Sequence, residues 1–255
     1  MGNGGTGGVD QMVTSEQLPY LILHKEELLA QLLAGKYRPT PVRRVEIPKD
    51  NGKKREVGIP TLIDRFVQQA ISQVLILIYE RQFSDNSFGF RPNRSAHDAL
   101  RRIQEYADAG YRSCVELDLE GFFDTVNHSK LIEFLSRTIK DCRVVSLIHR
   151  YLKAGVMVRH KFEESVLGLP QGGPLSPILS NILLNELDKE LERRGHPFVR
   201  YADDCLILVK SKRATERVRD SISSFVEKKL FLRVNLDKTT LGALSGNKYL
   251  GYSFY

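Results

Sequence analysis

The sequence predicts an α+β fold, an antiparallel sheet with helices on one face. Strand-length apolar runs at Ser113 to Leu119, Phe198 to Tyr201 and Cys205 to Val209 alternate with helical stripes in a mixed βαββαβ order. Two of these runs are joined by a short acidic turn at Asp203-Asp204. No long linker divides the 255 residues, which suffice for one core or two closely packed subdomains.

The elements follow in order. Residues 1–16 hold five of the 19 glycines and little apolar content, so they read as a flexible leader. An amphipathic helix is expected from about Glu26 to Leu33, stopped by Gly35 and the Pro39/Pro41 pair. Val42 to Ile47 and Arg55 to Ile59 flank the turn-forming Asp50-Asn51-Gly52 and predict a basic hairpin. A buried helix fits Leu62 to Phe83. Ser95 and Asp98 make a capping box for a helix that Gly110 ends. Another helix is expected from about Ser129 to Ile139. Ser176 and Pro177 suit an N-cap and first helical position, with Gly195 closing that helix. A helix over Ala214 to Leu230 and late strands at Leu232 to Leu236 and Lys248 to Phe254 complete the chain.

Composition narrows the classes. The apolar stretch Phe66 to Tyr79 contains Gln68, Gln69, Ser72 and Gln73 and is too short and polar for a bilayer span. The first residues carry no basic-then-apolar signal. Three widely spaced cysteines, Cys114, Cys142 and Cys205, form no CxxC pair, so no disulfide framework or zinc site follows. The expected location is cytoplasmic, in a reducing compartment. The net charge of +7 is concentrated: Lys36 to Arg65 holds nine basic and four acidic residues. Such a patch suits a polyanion as well as a solvated surface.

Chemistry is signalled most sharply by Tyr201-Ala202-Asp203-Asp204 between two apolar runs. Hairpin turns prefer Asn-Gly or Asp-Gly, and two carboxylates about 4 Å apart repel by roughly 4 kcal/mol at an effective dielectric of about 20. A divalent cation converts that repulsion into ligation. A further carboxylate, Asp118, ends the apolar run Cys114 to Leu119. Each feature alone also suits an ordinary acidic turn or strand end. Together they offer three carboxylates to two Mg²⁺ ions about 3.5–4 Å apart, the arrangement that serves phosphoryl and nucleotidyl transfer. The loop Gly168-Leu169-Pro170-Gln171-Gly172-Gly173-Pro174 permits close backbone approach, and Gln171 both donates and accepts. Lys49 and Arg55 of the hairpin are placed to grip a triphosphate.

These blocks resemble, in order, those of reverse transcriptases: Leu117-Asp118-Leu119 with Phe122-Phe123-Asp124, then Gly168 to Pro177, then Tyr201-Ala202-Asp203-Asp204. Phe88-Gly89-Phe90-Arg91-Pro92-Asn93-Arg94-Ser95-Ala96-His97 and Ile59-Pro60-Thr61-Leu62-Ile63-Asp64-Arg65 narrow the resemblance to group II intron-encoded reverse transcriptases, or maturases. It covers the chain from about Gly8 to Phe254.

The resemblance implies a right-hand polymerase of fingers (about 17–95 and 126–175) and palm (about 96–125 and 176–255) that copies RNA into DNA. Asp118, Asp203 and Asp204 would hold two Mg²⁺, with the Leu119 carbonyl as a further ligand. Lys49, Arg55, Gln171 and Gly172 would contact the incoming dNTP. Phe123, with Phe122 as its neighbouring alternative, would exclude a 2′-hydroxyl, and Lys238 would protonate pyrophosphate. RNA-binding candidates are Arg43, Arg44, Lys53, Lys54, Arg65, Arg91 and Arg94. Implied partners are intron RNA and an RNA template with DNA primer, in a bacterial or organellar ribonucleoprotein or nucleoid setting. The thumb of the family is expected to be absent, and the surface it would cover suggests self-association as a homodimer. A non-catalytic RNA-binding splicing module, or the reverse transcriptase of another bacterial retroelement, stays open as the alternative.

Overall fold

A computed structural model describes residues 6–48, 54–159 and 161–254, and the chain divides into two compact units, 1–75 with 128–176 and 76–127 with 177–255. The chain crosses between the units at 75/76, inside a helix, and again at 127/128 and 176/177.

The first unit opens with α1 (Thr14–Leu33), which starts well before the expected Glu26 and carries Pro19 within its first turns. Residues ahead of it are tied down: Arg43 donates to the Gly7 carbonyl at 2.7 Å, and a Cβ on Gly8 would meet the Thr61 backbone. Residues 14–16 of the expected leader belong to α1. The basic hairpin forms from β1 (Val42–Pro48) and β2 (Lys54–Ile59), with Arg43 opposite Ile59 and Pro48 opposite Lys54. Its expected turn, with Lys49 and Lys53, lies outside the described residues. The first turns of α2 (Leu62–Tyr79) carry Asp64, which is buried and accepts from Tyr37 Oη (2.7 Å), Thr61 Oγ1 (2.7 Å) and Thr40 N (3.1 Å). The expected buried helix forms but is buried on part of its surface only, since Phe66, Val74 and Leu77 are exposed. By length and a mean hydropathy of 1.2 the helix would pass as a membrane span, but a span needs about 20 apolar residues, and Asp64, Gln68 and Ser72 are buried within this one.

Two elements of this unit have no counterpart among the expectations. After α5 (His128–Thr138) comes α6 (Cys142–Leu152), capped by the Asp141 side chain. A short hairpin, β4 (Val156–Val158) and β5 (Lys161–Glu163), then joins β1 in parallel through Val42 and Val156, giving the order β2-β1-β4-β5.

The second unit is built on a four-stranded antiparallel sheet of order β6-β7-β3-β8, from β3 (Ser113–Leu117), β6 (Phe198–Tyr201), β7 (Asp204–Val209) and β8 (Thr240–Ala243). Strand alternation sends Cys114, Val199, Leu206 and Leu208 toward one face. There they pack with Ala99, Ile103 and Ala107 of α3 (Ala96–Asp108), and with Phe88, Leu244 and Tyr249. Arg200 and Cys205 point to the other face, where Arg200 meets Asp188 of α7 (Ser176–Arg193). Helices thus cover both faces, not one, because each face is apolar.

Local signals hold best near caps. Ser95 Oγ accepts from Asp98 N, and Asp98 Oδ2 accepts from Ser95 N at 2.8 Å, as the capping box predicts. Ser176 differs: its hydroxyl donates to the Pro170 carbonyl at 2.6 Å, closing the loop before α7 instead of capping it. The expected Ala214 to Leu230 helix is α8 (Lys212–Phe225) followed by a π-turn over Val226–Leu230. Leu232 to Leu236 supplies only a bridge between Val234 and Leu119, while the strand forms at β8. Lys248 to Phe254 folds as the two-residue strands β9 (Lys248–Tyr249) and β10 (Tyr252–Ser253). Leu250 and Gly251 between them both have positive φ, 51° and 86°, as tight hairpin turns demand.

Candidate active site on the antiparallel sheet

The sheet register assembles the acidic residues. Leu117 pairs with Cys205 in antiparallel β3 and β7, so Asp118 and Asp204, one position further, stand at the same end of adjacent strands. Tyr201 pairs with Asp204, which leaves Ala202-Asp203 as the two-residue turn. The turn is therefore shifted one residue from the expected Asp203-Asp204, and Ala202 takes the positive φ (58°). A non-glycine residue there costs on the order of 1 kcal/mol and persists only where the surroundings enforce it.

The backbone of Asp118 is held from both sides. Its N–H donates to Thr239 Oγ1 (3.2 Å) and its carbonyl accepts from Asn235 N (2.9 Å). Lys238, exposed, lies inside this clamp, and its own N–H donates to Asn235 Oδ1 (3.3 Å). Leu119 faces Val234, and the flanking bonds run from Asn235 N to Asp118 O and from Glu120 N to Arg233 O. The Leu119 carbonyl takes no part in that pairing, which leaves it available as a ligand.

Electrostatically the cluster is strained. Partial desolvation, then the charges of Asp203, Glu116 and Asp118, push the Asp204 carboxyl up to about 6. Glu116 was not singled out by sequence. It shares a strand face with Asp118 by alternation and accepts from Thr240 Oγ1 at 3.1 Å. Hard carboxylate oxygens and a peptide carbonyl match a hard divalent cation such as Mg²⁺. Among the described residues no group of three His, Cys, Asp or Glu side chains is placed to hold a metal ion.

Phe122 and Phe123 lie in a helical turn, α4 (Phe122–Thr125). Phe122 is buried at 2% exposure, Phe123 is half-buried, and the rings meet edge to face with centroids 5.1 Å apart. Of the two, only Phe123 retains surface for a ligand.

The nucleotide-contact candidates of the first unit lie on a loop bonded to the hairpin. Gly58 N of β2 donates to the Gln171 carbonyl at 2.7 Å. Gly172 has φ +114°, and a Cβ there would meet the Gly58 carbonyl at 2.7 Å, so only glycine fits. Buried His128 donates from Nε2 to the Gly168 carbonyl at 2.8 Å, anchoring the other end of the loop. Burial lowers that imidazole's pKa, keeping it neutral. The Arg55 side chain lies outside what is described.

The basic candidates separate. Arg91 does not face solvent: its side chain is 2% exposed, pairs with Glu80 Oε1 at 2.7 Å and donates to the Ser84 and Ser87 carbonyls. It is a structural strut, and its assignment to RNA binding is corrected. Arg44 lies between Glu56 (3.3 Å) and Glu163 (3.2 Å), Lys54 pairs with Glu46, Arg65 donates to the Pro60 and Thr6 carbonyls, and Arg94 pairs with Asp85. These keep at least part of their surface.

An antiparallel sheet presenting an Asp-bearing strand end beside an Asp-Asp hairpin, with a glycine-rich loop and basic hairpin on a separate unit, has the α+β fold of fingers-and-palm polymerases. Residues 47–254 match the reverse transcriptase (RNA-dependent DNA polymerase) family model, and the chain belongs to that family. It is 36% identical to protein YkfC of Escherichia coli, across 97% of this chain and 75% of that protein. It is 33% identical to the group II intron-encoded protein LtrA of Lactococcus lactis subsp. cremoris, across 89% of this chain but only 49% of LtrA. It thus resembles a group II intron-encoded protein over about half of that protein's length. Apo telomerase from Candida tropicalis shares the fold, with a TM-score of 0.67 at 15% identity over 85% of this chain and 47% of that one.

Proposed function

We propose that this chain carries the nucleotidyl-transfer site of an RNA-directed DNA polymerase of the group II intron maturase kind, and binds intron RNA to assist splicing and retrohoming. One observation carries the reading: the pairing of Leu117 with Cys205 sets Asp118 beside Asp204, next to Asp203, in a chain of reverse transcriptase descent. The second unit is the palm and the first the fingers. Asp118, Asp203, Asp204 and the Leu119 carbonyl would hold two Mg²⁺. Bound there, the ions lower the pKa of a primer hydroxyl and stabilise a departing pyrophosphate.

The protein's own groups do the rest. Phe123 presents a flat aromatic edge to the nucleotide sugar and leaves no room for a 2′-hydroxyl. Lys238 gives a proton to the leaving pyrophosphate, and the clamp around Asp118 fixes its backbone. On the fingers, Lys49 and Arg55 bind triphosphate, Arg as a fork and Lys as a point charge, while Gln171 and Gly172 lie against the sugar. Arg43, Arg44, Lys53, Lys54, Arg65 and Arg94 contact RNA phosphates, an interaction that weakens steeply with salt.

The test is Asp203→Asn, assayed by Mg²⁺-dependent primer extension on an RNA template and by binding to intron RNA. DNA synthesis is expected to vanish while RNA affinity stays. Surviving synthesis would overturn the metal assignment. Wild-type protein that binds RNA but never extends a primer would favour the non-catalytic splicing module.

A further inference from the structure

Arg200 has the largest side chain among the fully buried ones, immediately before the Tyr201-Ala202-Asp203-Asp204 turn. It forms a bidentate pair with Asp188 of α7, Nε to Oδ1 at 2.7 Å and Nη2 to Oδ2 at 2.6 Å, with both side chains at 0% exposure. A buried ion pair gains little net stability over apolar residues of similar volume, so stability alone does not account for it. Its remaining fork points at the turn. Nη1 donates to the Ala202 carbonyl at 2.8 Å and to Asn181 Oδ1 at 2.9 Å, and Asn181 Nδ2 donates to the Gly89 carbonyl at 2.9 Å.

The other side of the turn is held by Tyr249. Its hydroxyl lies 3.0 Å from the Asp204 carbonyl and 3.3 Å from the Val199 carbonyl, with the ring buried at 1% exposure. The two carbonyls flanking Asp203, those of Ala202 and Asp204, are therefore each gripped by a buried side chain from outside the turn. Residues 86–88 complete the clamp, since Arg200 N donates to Asn86 O (2.9 Å) and Phe88 N to Arg200 O (2.8 Å). This clamp surrounds Ala202, whose φ is positive (58°).

We infer that Arg200, seated on Asp188 and Asn181, and Tyr249 are positioning residues that aim Asp203 and Asp204 for divalent metal binding, an inference that rests on the polymerase reading above. Neither touches metal or nucleotide. They act through the Ala202–Asp203 and Asp204–Cys205 peptide groups, which bracket the two aspartates.

Two variants test this in the 255-residue chain: Tyr249→Phe, which removes one hydroxyl, and the paired Arg200→Met with Asp188→Leu, which replaces the ion pair by apolar bulk. Each is compared with wild type and Asp203→Asn by the Mg²⁺-induced rise in Tm and by primer extension at varied Mg²⁺ and dNTP. Tyr249→Phe is expected to fold and to need about fivefold more Mg²⁺ for half effect in both readouts, the value of one hydrogen bond, with dNTP KM unchanged. The paired variant should need more still. Should the paired variant not fold, Tyr249→Phe alone decides. Mg²⁺ curves for folded variants that overlay wild type would overturn the inference, leaving these residues as core only. A wild type whose Tm responds to Mg²⁺ through Asp203 but which makes no DNA would instead sink the polymerase reading, with the Tm titration still deciding the positioning. No Mg²⁺ effect in either readout would remove both.

Discussion

Replacing Gly89 by alanine should disable the acidic turn without touching a single carboxylate. A Cβ at residue 89 would fall 2.1 Å from Ala202 N, 2.9 Å from Tyr201 C and 3.0 Å from Ala202 Cα. These are backbone atoms, so no flexible side chain can swing aside. Ordinary contact begins near 3.4 Å, so the turn or the 86–90 segment must move by at least about 1.3 Å. The shift also strains the bond from Asn181 Nδ2 to the Gly89 carbonyl, and through Asn181 the hold of Arg200 on the turn. Overpacking of this kind costs about 1–3 kcal/mol of stability, and a misplacement near 1 Å costs about 100-fold in rate. Thermal unfolding measured with primer extension at saturating Mg²⁺ reads both. The expected result is a folded protein with a lower Tm and a loss of activity far beyond its loss of stability. A Gly89→Ala protein with wild-type Tm and wild-type synthesis would refute the close approach and the clamp built on it.

Two further predictions concern charge. Asp204→Asn should raise the Tm of metal-free protein at pH 7.5: an acid whose pKa is raised on folding, from 3.8 to about 6, is destabilising once ionised. The penalty grows from the unfolded value to the folded one and is complete above it, so the gain from Asn should fade below about pH 4. A Tm series in EDTA across pH 4–8 checks the sign, and Mg²⁺ should then stabilise wild type more than the variant. Arg91→Ala should cost about 3 kcal/mol in denaturant unfolding by leaving Glu80 and two carbonyls without their donor. It should leave the salt slope of RNA binding unchanged, because a side chain 2% exposed neutralises no phosphate.

What could be read directly from the chain was local. Ser95 and Asp98 are three residues apart, and their capping box forms as the spacing demands. The two strands flanking Tyr201-Ala202-Asp203-Asp204 form because apolar runs either side of a short turn pair with each other at little entropic cost. The ordered blocks from Asp118 to Asp204 were also enough to indicate the family, since they are chemistry written in residue identity.

The misreadings lie where distant partners decide. Arg91 looked like a phosphate contact because an arginine in a basic chain usually faces water, yet Glu80 and the Ser84 and Ser87 carbonyls bury it. Leu232 to Leu236 has strand composition, but β8 rather than this segment pairs along β3, and only Val234 keeps a bridge. Sequence by itself determined that three aspartates would sit at strand ends and a turn, and which family supplies them. Only the tertiary structure decided that Leu117 aligns with Cys205, that Gly89 leaves room for Ala202, and that Arg200 and Tyr249 grip the carbonyls on either side of Asp203. The physical reason is range: identity and spacing encode local preference, whereas register and burial are settled by contacts between residues far apart in the chain.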